Sequence, residues 1–190
     1  MTGYIKKTNL ISGLIVAFFT FFIALLVSLG SGAMVRAVDN VIVAIILLFI
    51  VIFLGIFFDL IGTAATAADI APFNARAAKK IFGAKQAVII TGNAHLMANF
   101  CNDVVGDIAG TLSGALGAGI VVSLSSHFAL LDLILAGAVM TSLIASLTVG
   151  GKAIGKIMAL NHANAIIFKV AVFVAWWEKI SGMELFKNRR

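Results

Sequence analysis

Long apolar runs, broken at wide intervals by glycine and charge, dominate this chain. A helix needs roughly 20 apolar residues to cross the hydrocarbon of a bilayer. The first candidate span runs from Leu10 to Leu29, after Lys6 and Lys7, and ends at Gly30-Ser31-Gly32. A short polar connection with Arg36 and Asp39 follows. The second span is solidly apolar from Val41 to Phe58, meets Asp59, turns rich in small residues through Ala68, and ends at Asp69 and Pro72. A third runs from about Leu96 to Leu124 and a fourth from about Phe128 to Val149. Between the second and third, Asn74 to Ile90 reads as a basic amphipathic helical hairpin interrupted at Gly83, a pattern that suits the membrane surface. Beyond Gly150-Gly151-Lys152, the segment Ala163 to Trp177 is apolar again, with Lys169 and the pair Trp176 and Trp177. Tryptophan favours the membrane–water interface, so this segment predicts a helix lying along the membrane, followed by a basic tail, Lys187 to Arg190. The expected fold is an all-α integral membrane protein. It has about four transmembrane helices, a cytoplasmic basic helical hairpin and a C-terminal juxtamembrane helix. Residues 1–40 supply the first transmembrane helix and an outer loop, and residues 41–190 supply the rest.

Composition agrees. Of 190 residues, 62% are hydrophobic and the mean hydropathy is +1.12, whereas soluble domains are about 45–50% apolar. A domain this small has too much surface to hide that excess from water. The net charge of +6 would raise nucleic acid as a partner of a soluble protein. Here the basic residues flank apolar spans and set topology, so a lipid bilayer is the expected partner and nucleic acid is not. With the N-terminus inside, every Lys and Arg except Arg36 falls on the cytoplasmic side, as the positive-inside rule favours. Both termini are then cytoplasmic, in a multi-pass protein of the cell (plasma) membrane. The single cysteine, Cys101, excludes an internal disulfide. The first span is longer than a signal-peptide core and no clean small-residue cleavage site follows it, so it is expected to be retained.

Charges at membrane depth are expensive and are functional candidates by default. Asp59, Asp103, Asp107 and Asp132 qualify. Asp132 precedes a helix start, where the dipole favours a carboxylate. Asp103 and Asp107 are four apart and share a helix face, with Asn99 and Asn102 within a turn. Such a strip suits a cavity that holds a cation through oxygen ligands. It equally suits interhelical hydrogen bonding or a position at the cytoplasmic mouth. Gly106-x-x-x-Gly110-x-x-x-Gly114 is a doubled small-residue motif that lets another backbone approach, from a neighbouring helix or a second subunit. After Asp59 come Gly62, Thr63 and Thr66, whose carbonyls and hydroxyls can coordinate a hard cation. No enzyme is expected. The chain has no Ser-His-Asp order at a sharp turn, no His-Glu-x-x-His and no phosphate-loop spacing. His95, His127 and His162 are far apart, at predicted span ends.

Positions 57 to 160 resemble the transmembrane domain of the CNNM/CorC magnesium transporters. That family reads as a Phe-Phe-Ser-x-Ser-Glu-x-Ala run, a basic helical hairpin, a Gly-Asn in the next span and a Gly-Glu-x-x-Pro-Lys turn. The run stands here as Phe57-Phe58-Asp59-Leu60-Ile61-Gly62-Thr63-Ala64 and the hairpin begins at Asn74-Ala75-Arg76. The Gly-Asn stands as Cys101-Asn102 and the turn as Gly151-Lys152-Ala153-Ile154-Gly155-Lys156. The resemblance implies a homodimer that binds Mg2+ near mid-membrane through serine, asparagine and glutamate oxygens, with export coupled to sodium. The paired CBS domains common in the family would lie beyond the membrane domain. None is expected in the sequence to Arg190, nor is nucleotide regulation in cis.

The departures are specific. The family glutamate of the turn matches Lys152, one serine matches Asp59, and the Ser-Glu pair matches Ile61 and Gly62. Only Asn102 keeps a ligand type. A protonated lysine has no lone pair to offer a metal, but it can occupy a cation's place. An internal ion pair between Lys152 and Asp59 is therefore expected where the family holds its metal. The simpler alternative is that Lys152 snorkels to the interface. Two functions follow. One is a divalent-cation transporter of the Mg2+ type, with Asn102, Asp59, Thr63, Asp103 and Asp107 as candidate metal ligands and Mg2+ as cargo. The other is a non-transporting scaffold or regulatory relative in which the ion pair replaces the metal.

Overall fold

The computed structural model describes residues 40–128 and 132–182, together with positions 18, 21, 22, 25 and 29, which are helical. Most of the expected first span, Lys6 and Lys7, the connection with Arg36 and Asp39, and the tail Lys187 to Arg190 lie outside the described residues. The described chain is helical, with no strand among its residues. It runs through α1 (Val41–Ala67), α2 (Ala71–Ala78), α3 (Ala84–Gly92), α4 (Ala94–Ala98), a π-helical segment (Asn99–Val105), α5 (Gly106–His127), α6 (Leu133–Asn161) and α7 (Ala163–Ser181). Three stretches are long and apolar enough to cross a membrane: Val41–Ala67, Ala94–Ser126 and Leu133–Asn161. Ile134 is 85% exposed and Phe53 67%. Water does not tolerate continuous apolar faces of this kind, and lipid is the solvent that does.

Local chemistry explains where the helices begin and end. The Asn40 side chain accepts the Ile42 N–H at 2.9 Å, which satisfies one of the free donors of the first turn of α1. After α1, the Asp69 carboxylate accepts the Ala71 N–H at 3.0 Å, and Pro72 sits in the first turn of α2, where its missing N–H is harmless. Gly83 separates α2 from α3 with φ +81°, and a methyl group there would press on the Val172 backbone of α7. Both the backbone angle and the approach of α7 demand glycine. Asp132 caps α6 as expected, accepting the N–H groups of Ile134 at 2.9 Å and Leu135 at 3.3 Å.

Two elements differ from the sequence reading. The fourth span does not end at Val149. α6 continues through Gly150, Gly151 and Gly155 to Asn161, so the expected turn is helix. Where the family motif has proline this chain has Gly155, and without proline no ladder hydrogen bond is lost. The third span is not a uniform α-helix either, because Asn99–Val105 is π-helical. A π segment changes which residues share a face, and such segments cluster at functional sites.

Contacts divide the chain into two compact units. In the first, Met1–Val51 with Ile108–Ile144, the buried residues include Leu48, Leu116, Ile120 and Ile144. A methyl at Gly117 would collide with the Ile144 side chain, so this glycine is a genuine packing position. In the second, Ile52–Asp107 with Ala145–Arg190, α2, α3 and α7 pack into a layer. Its core holds Phe73, Ala87, Ile90, Ile167 and Ala171, with Ala64 and Ala65 from the end of α1 and Ala159 from the end of α6. Phe73 and Ile167 are fully buried; burying one such side chain stabilises by about 1.5–3 kcal/mol. The Arg76 guanidinium lies 4.5 Å above the Phe168 ring, and Gln86 donates to the Glu178 carboxylate at 2.8 Å. These contacts fix α2 and α3 against α7.

Candidate functional site

The site lies in the second unit, one level away from that layer. Asp59 is eight residues before the end of α1, Asn102 eight residues after the start of the Ala94–Ser126 stretch, and Lys152 nine residues before the end of α6. At 1.5 Å per α-helical residue, Asp59 and Lys152 stand about 12–14 Å from those helix ends. Similar distances from the helix ends bring the three side chains together. The Lys152 ammonium is 3.6 Å from Asp59 Oδ1, and its Nζ would sit 3.5 Å from a methyl added at Gly106. The lysine therefore crosses the small face of Gly106 to reach the aspartate. Asn102 meets α1 three residues beyond Asp59. A methyl at Gly62 would collide with Asn102 Oδ1 and fall within 3.1 Å of the Cys101 Cβ. Glycine at 62 thus leaves the space that the asparagine amide fills.

Burial makes this group unusual. Asp59 is 4% exposed, whereas the Lys152 side chain keeps 27% of its surface open. Asp59 Oδ2 and Asn102 Oδ1 are both buried, and neither has a hydrogen-bond partner among the described residues. An unsatisfied buried acceptor is costly, and a native one calls for an explanation such as an ion or a functional role. Two of them on adjacent helices, beside one lysine, define an acceptor-rich centre at membrane depth.

The other sequence candidates do not join it. Asp103 and Asp107 are exposed, while the Asn102 carbonyl points inward. The expected single polar strip is split: neighbours on a helix are about 100° apart, so Asn102 can face inward while Asp103 and Asp107 stay exposed. Thr63 is half-buried one turn beyond Asp59, and its backbone carbonyl accepts the Thr66 hydroxyl at 2.8 Å. Among the described residues, no three His, Cys, Asp or Glu side chains gather as a metal-holding cluster. Any cation here would rely on one carboxylate, an amide oxygen and backbone or water oxygens.

Among the described residues, Gly106 is the one of Gly106, Gly110 and Gly114 that meets another helix; no described residue comes within 4 Å of a methyl added at Gly110 or Gly114. The close approach is made by Gly151-x-x-x-Gly155 on α6. A methyl at Gly151 would collide with the Ile56 side chain, and one at Gly155 would touch Ile56 and Leu60 at 3.7 Å. This motif was visible in the sequence as small residues four apart, continued by Ala159, but a turn assignment hid it. Gly151→Val is expected to destabilise the protein by about 1–3 kcal/mol through overpacking. Gly114→Ala is expected to stabilise it by up to about 1 kcal/mol through helix propensity alone. Unfolding titrations of the two variants check this. A destabilised Gly114→Ala variant would mean that something other than the described residues covers that face.

Compared with protein-family models, with curated proteins and with solved structures, the chain gives no significant match to any.

Proposed function

We propose that this protein is a multi-pass membrane transporter of divalent cations, of the CNNM/CorC type and with Mg2+ as the expected cargo. The observation that carries this reading is the pair of buried, unpartnered oxygens, Asp59 Oδ2 and Asn102 Oδ1, at one depth on membrane-length helices. Hard cations take oxygen ligands, and polar groups at such depth mark ion pathways. Lys152 neutralises Asp59 when no cation is bound. Its partly open side chain lets the ammonium withdraw when one arrives. In this reading the hairpin of α2 and α3 and the juxtamembrane helix α7 form the cytoplasmic layer, both termini are cytoplasmic, the cell membrane is the site of action, and the active form is a homodimer.

Thermal unfolding of the purified protein in detergent tests the proposal. Mg2+ is expected to raise the midpoint where Na+ and Ca2+ at equal ionic strength do not, because a ligand that binds only the native state stabilises it. Asn102→Ala is expected to abolish that response.

A second reading rests on the Lys152–Asp59 ion pair itself. There the ammonium fills the cation's place permanently, and the protein is a non-transporting scaffold or regulator. The absence of any response to divalent ions would favour it.

A further inference from the structure

The outward face of the α2–α3–α7 layer carries a feature that transport does not use. α7 buries Ala163, Ile167, Ala171 and Ala175 in the layer core. Its opposite side presents Lys169, Phe173, Trp176 and Ile180, all exposed. Their spacing of four, three and four residues draws a single stripe along the helix. Trp177, at 49% exposure, flanks it. This helix is thus apolar on two sides, and only one side is covered.

The layer is also strongly basic, with Lys169 in the stripe itself and Lys179 exposed on the same helix. Within α2, α3, α7 and the connection between α2 and α3, six basic residues face one carboxylate, Glu178. Lys79, Lys80, Lys85, Lys169 and Lys179 are exposed, as are Ile81 and Phe82 in the connection. Aromatic rings beside lysines suit the level of lipid headgroups. A neutral headgroup layer would satisfy the rings and leave the excess positive charge unanswered. An anionic headgroup layer answers both. Polybasic segments beside a membrane recruit acidic lipids through this attraction.

We propose that the α2–α3–α7 layer is an anionic-lipid docking surface that concentrates acidic phospholipid around α7. The inference rests on the reading that this layer lies at the membrane surface. It goes beyond that reading by assigning the chemistry of the headgroup and the residues that select it.

Trp176 and Trp177 are the only tryptophans in the chain, so selectively excited tryptophan fluorescence reports on α7 alone. The full chain would be reconstituted in phosphatidylcholine vesicles that contain a minor, fixed fraction of lipid brominated high on its chains. That lipid is either phosphatidylglycerol or phosphatidylcholine. Brominated phosphatidylglycerol is expected to quench more, corresponding to a local enrichment of roughly threefold or more for several lysines near the surface. The combined variant Lys79→Gln, Lys80→Gln, Lys169→Gln and Lys179→Gln alters only exposed side chains, and it is expected to remove the difference while keeping the quenching. Equal quenching by both lipids in the unaltered protein would overturn the anionic docking surface and leave the interfacial placement standing. A preference that survives in the combined variant would overturn the role of these lysines. Quenching by neither lipid would overturn the interfacial placement and the docking surface together.

Discussion

Lys152→Met is expected to destabilise the protein by roughly 2–4 kcal/mol, and adding Asp59→Asn is expected to restore most of that loss. Asp59 is 4% exposed, and its near partner is an ammonium 3.6 Å away. Removing one member of a buried pair costs about 3–5 kcal/mol, because the remaining charge is left uncompensated. The 27% exposure of the Lys152 side chain admits some screening and moves the expectation toward the lower end. Methionine keeps the lysine stem out to Cε and removes the ammonium that lies over Gly106, so the loss reports charge far more than volume. Asp59→Asn alone removes the charge that needs compensation and is expected to cost less than Lys152→Met. A double-mutant cycle on unfolding free energies in mixed micelles should give a coupling of about 1–3 kcal/mol, the range for residues in direct contact. If Lys152 instead snorkelled to the headgroups, Lys152→Met would be nearly silent and the cycle would close with no coupling.

The residues of the site are physically linked. Glycine at 62 leaves the space that Asn102 fills, since a methyl there would collide with the Asn102 amide. Lys152 brings a cation to the site, and Asp59 supplies the charge that this cation needs. Together they leave one loosely held ion pair and, among the described residues, two buried oxygens without hydrogen-bond partners.

How much of this was legible in the sequence depends on the kind of signal. The apolar run Val41 to Phe58 needs no periodicity to be read, because lipid asks only for length, and α1 follows it. Asp132 announces a cap by its type and place, and it caps. Opposite charges at 59 and 152 pointed to each other once a pattern aligned the two positions. Glycine was the ambiguous letter. In water Gly150-Gly151 reads as a breaker, but in a bilayer a backbone that left the helix would strand its polar groups, and α6 continues. Whether a glycine packs is equally silent in sequence: no described residue comes within 4 Å of a methyl added at Gly110 or Gly114, while Gly151 holds Ile56. The π segment Asn99–Val105 gives no sign in composition beyond its polar residues.

Lys152→Glu carries the sharpest consequence for function. It installs the residue type that the CNNM/CorC pattern has at the position it resembles, and sets a second carboxylate against Asp59. In metal-free buffer the variant is expected to be less stable than the unaltered protein, since like charges sharing a buried site repel. Mg2+ should reverse the order. Asp59, Glu at position 152 and the Asn102 carbonyl would then present three oxygen donors from three helices, and Mg2+ completes its octahedron with waters. At a concentration one hundred times the dissociation constant, binding adds about 2.7 kcal/mol of stability, enough to raise the unfolding midpoint by several degrees. Isothermal titration is expected to show Mg2+ affinity at least about tenfold above that of the unaltered protein, which corresponds to 1.4 kcal/mol. Lys152→Glu combined with Asn102→Ala should lose most of the gain, and Lys152→Met should show none. That contrast separates a metal site from a general effect of losing the lysine. A Lys152→Glu variant that is destabilised and gains nothing from Mg2+ would mean that the oxygens around Asp59 do not converge on a cation. The ion pair would then be a structural device, and the proposal of a divalent-cation transporter would fail with it.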